Sequence, residues 1–296
     1  MREIIGRSVE GRDLILLSNC PLHARPHSSG TPDLAQAEAT RFSTLLIGGT
    51  HGDERATVSI LENFAAAHLE SGSIKTPLAI LSLHNPDGHS ADSRYNGRGV
   101  DLNRNFSHQW NPDSVEPPGR VPLSEPETQA LHAYILSYRP AKIVSLHWAL
   151  SEIDADGPQS TAMAAGMWEV LTPMERRPYR LRVHRPEAGD SAICHGSLGQ
   201  WCGNGLIYPD GTRPAMVTLE LPYHAHNSVR PENLPGDHLD RVRDLWRNRP
   251  DAYLAGVEGP VHRMLESVCR HRQVWPHPAT RPGHPEASAS GATGPE

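Results

Sequence analysis

The sequence predicts an α/β fold with a mixed, mostly parallel central sheet and helices on both faces. Short runs of apolar and β-branched residues alternate along the chain with stretches in which apolar residues recur every three or four positions. Glycine or asparagine follows two of the strand-like runs. Such alternation is typical of parallel strands joined by helices. Because the reactive side chains of such sheets follow the carboxyl ends of strands, the candidate site residues are sought there.

The strands are placed by apolar runs, and the first run is interrupted as in a hairpin or strand pair. The predicted strands lie at residues 4–17 (two strands), 42–47, 78–83, 143–146 and 216–221. The sequence Asn-Pro-Asp-Gly at 85–88 predicts a turn that ends the strand at 78–83.

The helices are placed by apolar residues at helical spacing. They are predicted at residues 53–69, 124–138, 161–171, 237–246 and 261–274. Ser124-Glu125-Pro126-Glu127 predicts a capping box at the start of the second of these helices.

We expect residues 1–275 to form a single catalytic domain. Residues 21–40 are rich in Pro, Ser, His and Ala, which predicts a flexible surface loop within that domain. Residues 276–296 offer almost nothing apolar to bury, which predicts a disordered tail.

Composition excludes several functional classes. The chain of 296 residues has 28 Lys and Arg against 34 Asp and Glu, a net charge of −6, which disfavours general nucleic-acid binding. No apolar run reaches the ~20 residues needed to cross a bilayer, and we expect no membrane partner. The first residues lack the hydrophobic region of a signal peptide, and the four cysteines form no CxxC pair. We therefore expect free thiols and a cytoplasmic protein.

Eighteen histidines raise the question of a metal site, and two of them follow predicted strands. His51 and Glu54 come after the strand at 42–47 and a pair of glycines, and His147 comes directly after the strand at 143–146. Catalytic zinc takes three protein ligands of this nitrogen and oxygen type and leaves a fourth position open. A helix-start pair without metal is the alternative for His51 and Glu54 taken alone.

Two further groups are candidates near such a centre. Glu220 lies within an apolar strand, where it is either paired with an arginine or acts as a general base. In the polar loop at 99–106, Arg104 offers a planar fork for a carboxylate, Asn103 adds a neutral donor, and Asp101 could hold a ligand imidazole by its second nitrogen. A polar turn with structural hydrogen bonds is the alternative for this loop.

Five motifs in this order resemble the zinc carboxypeptidase family, and within it the bacterial murein peptide amidase branch. The motifs are Gly-Thr-His-Gly-Asp-Glu at 49–54, Asn-Pro-Asp-Gly at 85–88, Arg-Gly-Val-Asp-Leu-Asn-Arg-Asn-Phe at 98–106, Ser-Leu-His at 145–147 and Thr-Leu-Glu-Leu-Pro at 218–222. The resemblance, which covers about residues 4–222, implies a zinc-carboxypeptidase-like fold and one Zn²⁺ per chain.

The resemblance also implies a role for each matching residue. His51, Glu54 and His147 are expected to bind zinc, and Glu220 to act as general base and acid. Asn103 and Arg104 match the pair that binds the substrate's terminal carboxylate, and Asp101 matches the carboxylate behind the first zinc histidine. Arg94 matches the arginine that stabilises the oxyanion, with Arg98 as the alternative. The mobile tyrosine of family carboxypeptidases has no counterpart in Gly-Ser-Leu-Gly-Gln-Trp at 196–201.

The implied reaction is hydrolysis of the γ-D-glutamyl–meso-diaminopimelate bond of murein tripeptide, a small anionic peptide, in cell-wall recycling. Five arginines between residues 176 and 185 could bind further anionic groups, although a solvated surface strand is the favoured interpretation of that run. One alternative function is a deacylase of N-acyl amino acids that resembles aspartoacylase or succinylglutamate desuccinylase. The other is a non-catalytic zinc- or peptide-binding module.

Overall fold

The computed structural model describes residues 1–20, 43–183, 195–222 and 250–270. The expected loop at 21–40, the predicted helix at 237–246 and the expected tail at 276–296 lie outside the described residues. None of the described helices combines the length and apolar character that a membrane span requires.

One eight-stranded sheet organises the described chain, in the order β1-β2-β4-β3-β5-β8-β6-β7. The strands are β1 (Arg2–Arg7), β2 (Asp13–Ser18), β3 (Thr44–Ile47), β4 (Leu78–Leu81), β5 (Lys142–Trp148), β6 (Glu152–Asp156), β7 (Arg180–Val183) and β8 (Ala215–Leu221). The neighbours β4, β3, β5 and β8 run parallel, whereas β2 pairs antiparallel with β1 and β4, and β6 pairs antiparallel with β8. The predicted mixed, mostly parallel sheet is confirmed.

Helices cover both faces of this sheet, as predicted. The described α-helices are α1 (Arg55–Leu69), α2 (Pro86–Ala91), α3 (Pro126–Tyr138), α4 (Thr161–Glu169), α5 (Pro173–Arg176), α6 (Leu198–Gln200) and α7 (Pro250–Arg270). On one face α1, α4 and α7 bury residues such as Phe64, Met167 and Leu265 in a large apolar cluster. On the other face α3 and the turn after α6 bury Leu131 and Trp201 in a second cluster.

Alternation along the central strands divides their side chains between the two clusters. Leu46 and Val144 face the first cluster, whereas Leu45 and Ile143 face the second. The parallel strands are buried on both faces and read as continuous apolar runs, which is why the sequence predicted them.

Several element boundaries differ from the prediction. The helix predicted to start at residue 53 starts at Arg55, and the strand predicted to end at residue 83 ends at Leu81. The segment at 85–88 is not a simple turn, because Asn85 caps α2 by accepting a hydrogen bond from the Gly88 amide at 2.9 Å. Helix α7 starts eleven residues before the predicted position 261 and continues through Pro260, since Tyr253 and Val257 are buried against the sheet.

The predicted capping box at Ser124 is wrong. Helix α3 has Glu125 at its N-cap, and no side chain there bonds the helix. The Ser124 hydroxyl donates to Glu125 instead, at 2.7 Å, and the Glu127 carboxylate accepts from the Val9 amide at 3.0 Å and from Asn96. The Ser124 hydroxyl thus bonds its neighbour in sequence, and the Glu127 carboxylate bonds distant residues, so neither group caps the helix.

The sequence did not predict β6. It predicted β7 only as part of a solvated surface strand. In β6 the residues Ile153 and Ala155 are buried apolar, but carboxylates occupy every second position, so the run does not look like a buried strand. Of the arginine run expected to be a surface strand, only Arg180 and Arg182 lie on β7, at the end of the sheet, where each is about one-third exposed. Arg176 ends α5 instead, and Arg185 lies outside the described residues.

Candidate active site

Two adjacent parallel strands place the candidate metal ligands. Ile47 at the end of β3 pairs in register with Ser145 of β5, so the residues that follow each strand meet at the same edge of the sheet. After β3 the chain turns through Gly49, which has φ of +59°, and leads to His51 and Glu54. His147 is the next residue of β5 on the same face as Ser145.

Glycine is required within this turn. A Cβ atom at Gly52 would lie 2.0 Å from the Gly88 carbonyl carbon and 2.2 Å from the His89 amide nitrogen. The start of α2 therefore packs directly on the backbone between the two ligand residues, which fixes their separation.

The three side chains converge on one point. His51 Nδ1 lies 2.7 Å from Glu54 Oε1, His147 Nδ1 lies 3.2 Å from Glu54 Oε2, and the two Nδ1 atoms are 3.3 Å apart. All three residues are buried. Among the described residues this is the one group of three or more metal-ligating side chains whose ligand atoms lie within 4.8 Å of one another.

The donor set fits a zinc ion. Two imidazole nitrogens and a carboxylate are the ligand types of catalytic zinc, and they leave a position free for water. Glu54 Oε2 accepts no hydrogen bond, although it is buried and close to His147 Nδ1. An acceptor without a donor is costly in the interior, and a cation at this point would satisfy it.

Groups behind the ligands orient them. His51 Nε2 lies 3.2 Å from Asp101 Oδ1, and His147 Nε2 lies 3.1 Å from Ser145 Oγ. Asp101 is itself fixed, because it accepts from the Asn103 amide at 2.8 Å. With the Nε2 atoms held from behind, both Nδ1 atoms face the common point.

Charge on the carboxylates determines the electrostatics of the centre. Burial alone would lower the pKa of His51, but the carboxylates of Glu54 and Asp101 outweigh it and raise that pKa to about 9. Burial would likewise raise the pKa of Glu54, but His51 and His147 lower it to about 2. The centre therefore favours positive charge, as a cation site must.

Glu220 lies beside this centre on β8. It pairs in register with His147 of β5, and its Oε2 accepts a hydrogen bond from the Leu150 amide at 3.3 Å. Burial, and then the charge of Glu54, raise the pKa of Glu220 to about 8. A positive charge at the centre would lower this pKa and favour the ionised base.

The structure distinguishes the two candidate arginines by position. Arg94 Nη1 lies 3.2 Å from His51 Nδ1, and its Nε and Nη2 atoms donate to Asp101 Oδ2 at 3.0 and 2.8 Å. Arg98 is 56% exposed and lies 3.6 Å from Glu125 Oε2. Arg94 is thus beside the centre and Arg98 points elsewhere, although the catalytic role of Arg94 stays a prediction.

Asn103 and Arg104 form a short 3₁₀ turn with Leu102, next to Asp101. Asn103 Oδ1 accepts from the Leu198 amide at 3.0 Å, and Arg104 Nη1 donates to the Asn103 carbonyl at 2.8 Å. Gly196 packs on the same turn, since a Cβ there would lie 2.3 Å from the Arg104 carbonyl oxygen. The Gly-Ser-Leu-Gly segment therefore packs against the residues expected to bind the substrate carboxylate.

Two groups near the site could not be identified from motifs in the sequence. The Leu150 amide is a backbone group, so its hydrogen bond to Glu220 cannot be predicted from the residue type at position 150. His84 is fully buried, 3.3 Å from Thr50 Oγ1 and 3.2 Å from the Glu127 carbonyl. His84 lies after β4, and burial followed by the charges of His147 and His51 lowers its pKa to about 4.

The fold and the site together define a metal-dependent hydrolase, with a three-residue ligand set at strand ends and a buried carboxylate beside it. The profile described as zinc carboxypeptidase matches residues 2–151. The chain therefore belongs to the zinc carboxypeptidase family: it is a peptide-bond hydrolase, and its metal is zinc.

Curated relatives and solved structures agree with this assignment. Murein peptide amidase A of Escherichia coli strain K12 is 39% identical over 199 residues, which cover 62% of this chain and 73% of the relative. Murein peptide amidase A of Vibrio campbellii is 28% identical over 222 residues, 70% of this chain and 78% of the relative. Bovine thrombin-activatable fibrinolysis inhibitor shares the fold, with a TM-score of 0.64 at 17% identity over 92% of this chain and 90% of that one.

Replacing one ligand tests the assigned metal centre. We expect His147→Ala to purify with less than a tenth of the wild-type zinc content, because two protein ligands do not retain a catalytic zinc through dialysis. The measurement is zinc per chain by atomic absorption, with circular dichroism to show that the variant is folded. His68→Ala, at a histidine on α1 away from the ligands, is the control and should keep full zinc. Full zinc content in His147→Ala would remove that residue from the ligand set.

Proposed function

We propose that this chain hydrolyses the amide bond before a C-terminal residue that has a free carboxylate. The specific substrate proposed is murein tripeptide, cut at the γ-D-glutamyl–meso-diaminopimelate bond during cell-wall recycling in the cytoplasm. The observation that carries the proposal is the placement of the buried His51, Glu54 and His147 beside Glu220 and Arg94. The 39% identity to murein peptide amidase A supports the choice of substrate.

In this mechanism His51, Glu54 and His147 hold zinc. Zinc bound there supplies Lewis-acid activation of water and of the scissile carbonyl. Asp101 and Ser145 keep the two imidazoles turned toward it through their Nε2 atoms.

Glu220 is the proposed general base and acid. Its carboxylate takes a proton from the attacking water and passes that proton to the leaving amine nitrogen. The Leu150 amide holds Oε2 in place, which leaves Oε1 for the proton transfer. Burial of this carboxylate raises its pKa toward neutral, where a group can both accept and return a proton.

Arg94 is the proposed partner of the developing oxyanion. Two of its nitrogens are fixed on Asp101, and the third, Nη1, faces the metal centre. A donor that is already oriented stabilises charge without reorganisation during the reaction.

Asn103 and Arg104 are the proposed carboxylate-binding pair. The planar guanidinium of Arg104 matches a carboxylate in charge and shape, and the Leu198 amide orients the Asn103 side chain. Asp101, which contacts His51, directly precedes the turn that contains this pair, so a terminal carboxylate bound there would bring the preceding amide bond toward the centre, which accounts for cleavage of a single terminal residue.

The remaining expectations stay predictions. We propose that residues 1–275 act as one catalytic domain, and the burial of α7 against the sheet, with Thr76 donating to the Cys269 carbonyl, supports that. We propose a small anionic peptide as substrate and neither nucleic acid nor membrane as partner. No structural observation favours the deacylase or the non-catalytic alternative.

The substrate proposal is tested by incubating the zinc-loaded protein with L-alanyl-γ-D-glutamyl-meso-diaminopimelate and following free diaminopimelate by mass spectrometry. We expect release of diaminopimelate and no release from the same peptide with its terminal carboxylate amidated, because Arg104 then lacks its ion-pair partner. An N-acetyl-L-aspartate and N-succinyl-L-glutamate assay runs in parallel. Turnover of only those acyl amino acids would replace the proposed function with the deacylase.

The role of Glu220 is tested by Glu220→Gln, which preserves size and removes the base. We expect kcat to fall by roughly 10²–10⁴-fold while zinc content stays at the wild-type level. Glu62→Gln, the same change at an exposed position of α1, is the control and should keep its rate. A Glu220→Gln enzyme with zinc and undiminished kcat would contradict the assignment.

A further inference from the structure

Helix α2 lies between two segments that form the site. On one side it packs on the turn that leads to the zinc ligands, because a Cβ at Gly52 would lie 2.0 Å from the Gly88 carbonyl carbon. On the other side it bonds the segment that contains Arg94. There the Gly88 carbonyl accepts from the Ser93 amide at 2.9 Å, and Asn85 Nδ2 donates to the Arg94 carbonyl at 3.4 Å. The position of α2 therefore affects both the ligands and the proposed oxyanion partner.

Arg55 ties the C-terminal end of α2 to the same ligands. It is the first residue of α1 and directly follows the ligand Glu54. Its Nη2 donates to the His89 carbonyl at 2.8 Å, and its Nε donates to Asp92 Oδ1 at 3.0 Å. A displacement of α2 would thus be transmitted to Glu54 as well as to the backbone before it.

The carboxylate of Asp87 bonds α2 to a different part of the fold. Asp87 lies in α2 and its side chain is 1% exposed. Its Oδ1 accepts from Ser8 Oγ and from Arg12 Nη1, each at 2.6 Å, and its Oδ2 accepts from the Glu10 amide at 2.9 Å. All three donors belong to the turn at 8–12, which joins β1 to β2. Both carboxylate oxygens are therefore engaged by a segment that is distant in sequence.

The turn at 8–12 is itself well fixed. Ser8 Oγ accepts from the Arg12 amide at 3.0 Å, so the turn is closed by the same hydroxyl that bonds Asp87. The Val9 amide donates to Glu127 of α3 at 3.0 Å, and the strands on either side belong to the central sheet. Asp87 thus fastens α2 to the sheet and to α3 through a contact that is separate from the metal centre.

We propose that Asp87 is a positioning residue for the reaction, which holds the zinc ligands and Arg94 in their relative positions by fastening α2 to the turn at 8–12. The inference rests on the assigned zinc centre, and its part on Arg94 rests on the proposed function. Asp87 acts through α2 and not by contact with the reacting atoms. Asn103 is held instead by the Leu198 amide and by Asp101, so carboxylate binding should not depend on Asp87.

Asp87→Asn breaks this contact without a change in size. The amide nitrogen of asparagine is a donor and has no acceptor in either orientation of the side chain. At the position of Oδ1 it faces Arg12 Nη1, and at the position of Oδ2 it faces the Glu10 amide. The variant therefore loses the ion pair to Arg12 and places two donors against each other in the interior.

We expect two changes in Asp87→Asn. Zinc release to the chromogenic chelator 4-(2-pyridylazo)resorcinol should be about tenfold faster, and kcat per bound zinc for L-alanyl-γ-D-glutamyl-meso-diaminopimelate about tenfold lower, the scale on which groups behind metal ligands act. KM should change by less than about threefold, because the carboxylate-binding pair does not depend on α2. Stopped-flow absorbance gives the release rate well below the melting temperature of each variant.

Three further variants separate positioning from a loss of stability. Asp13→Asn makes the same change on the same hairpin, where Asp13 contacts Arg7 at the surface, and should match the wild type. Leu265→Ala creates a cavity in the apolar core of α7, and should lower the melting temperature yet keep wild-type zinc release and kcat per bound zinc. Ser8→Ala removes one donor to Asp87, and should show the changes of Asp87→Asn to a smaller degree even if Asp87→Asn does not fold.

Zinc release needs no substrate, so it distinguishes failure of this inference from failure of the proposed function. Faster release in Asp87→Asn or Ser8→Ala, with wild-type release in Asp13→Asn and Leu265→Ala, supports the inference even if the peptide is not cleaved. Wild-type release in both Asp87→Asn and Ser8→Ala overturns it. Equally fast release in Leu265→Ala also overturns it, because Asp87 would then contribute only to the stability of the fold.

Discussion

The parallel pairing of β3, β5 and β8 is the constraint on which the site depends. Their register sets Ile47 opposite Ser145 and His147 opposite Glu220, so one edge of the sheet receives the ligands and the base together. A shift of one residue would turn His147 or Glu220 to the opposite face. The apolar clusters on both faces hold that register, because the same strands supply their cores. Chemistry and stability are thus specified by the same pairing.

Buried charge is the second feature, and the structure manages it at Asp101 and Glu54 by placing each carboxylate next to a positive group. Asp101 lies between His51 and Arg94 and so orients both a ligand and the proposed oxyanion partner. Glu54 lies between two imidazoles, with one oxygen that accepts no hydrogen bond.

Features that depend on residues close together in the sequence could be predicted, whereas features that depend on distant contacts or on backbone groups could not. The central strands and the sheet class were predicted because doubly buried strands are continuous apolar runs, and His51 and His147 were found because they follow such strands. The sequence did not predict β6, because carboxylates occupy every second position of the strand and Glu152 contacts the arginines of β7. The predicted capping box at Ser124 is wrong because Ser124 bonds the adjacent Glu125 side chain and Glu127 accepts from the distant Val9 amide. The Leu150 amide beside Glu220 has no residue signature at all.

The central claim is that His51, Glu54 and His147 bind one zinc ion through both Nδ1 atoms and the carboxylate. Crystals of the zinc-loaded protein measured on either side of the zinc absorption edge test this most directly. We expect a single anomalous peak 2.0–2.2 Å from His51 Nδ1, from His147 Nδ1 and from a Glu54 carboxylate oxygen, as in catalytic zinc sites. A peak elsewhere, or one that has an Nε2 atom or lacks Glu54 among its ligands, would contradict the account.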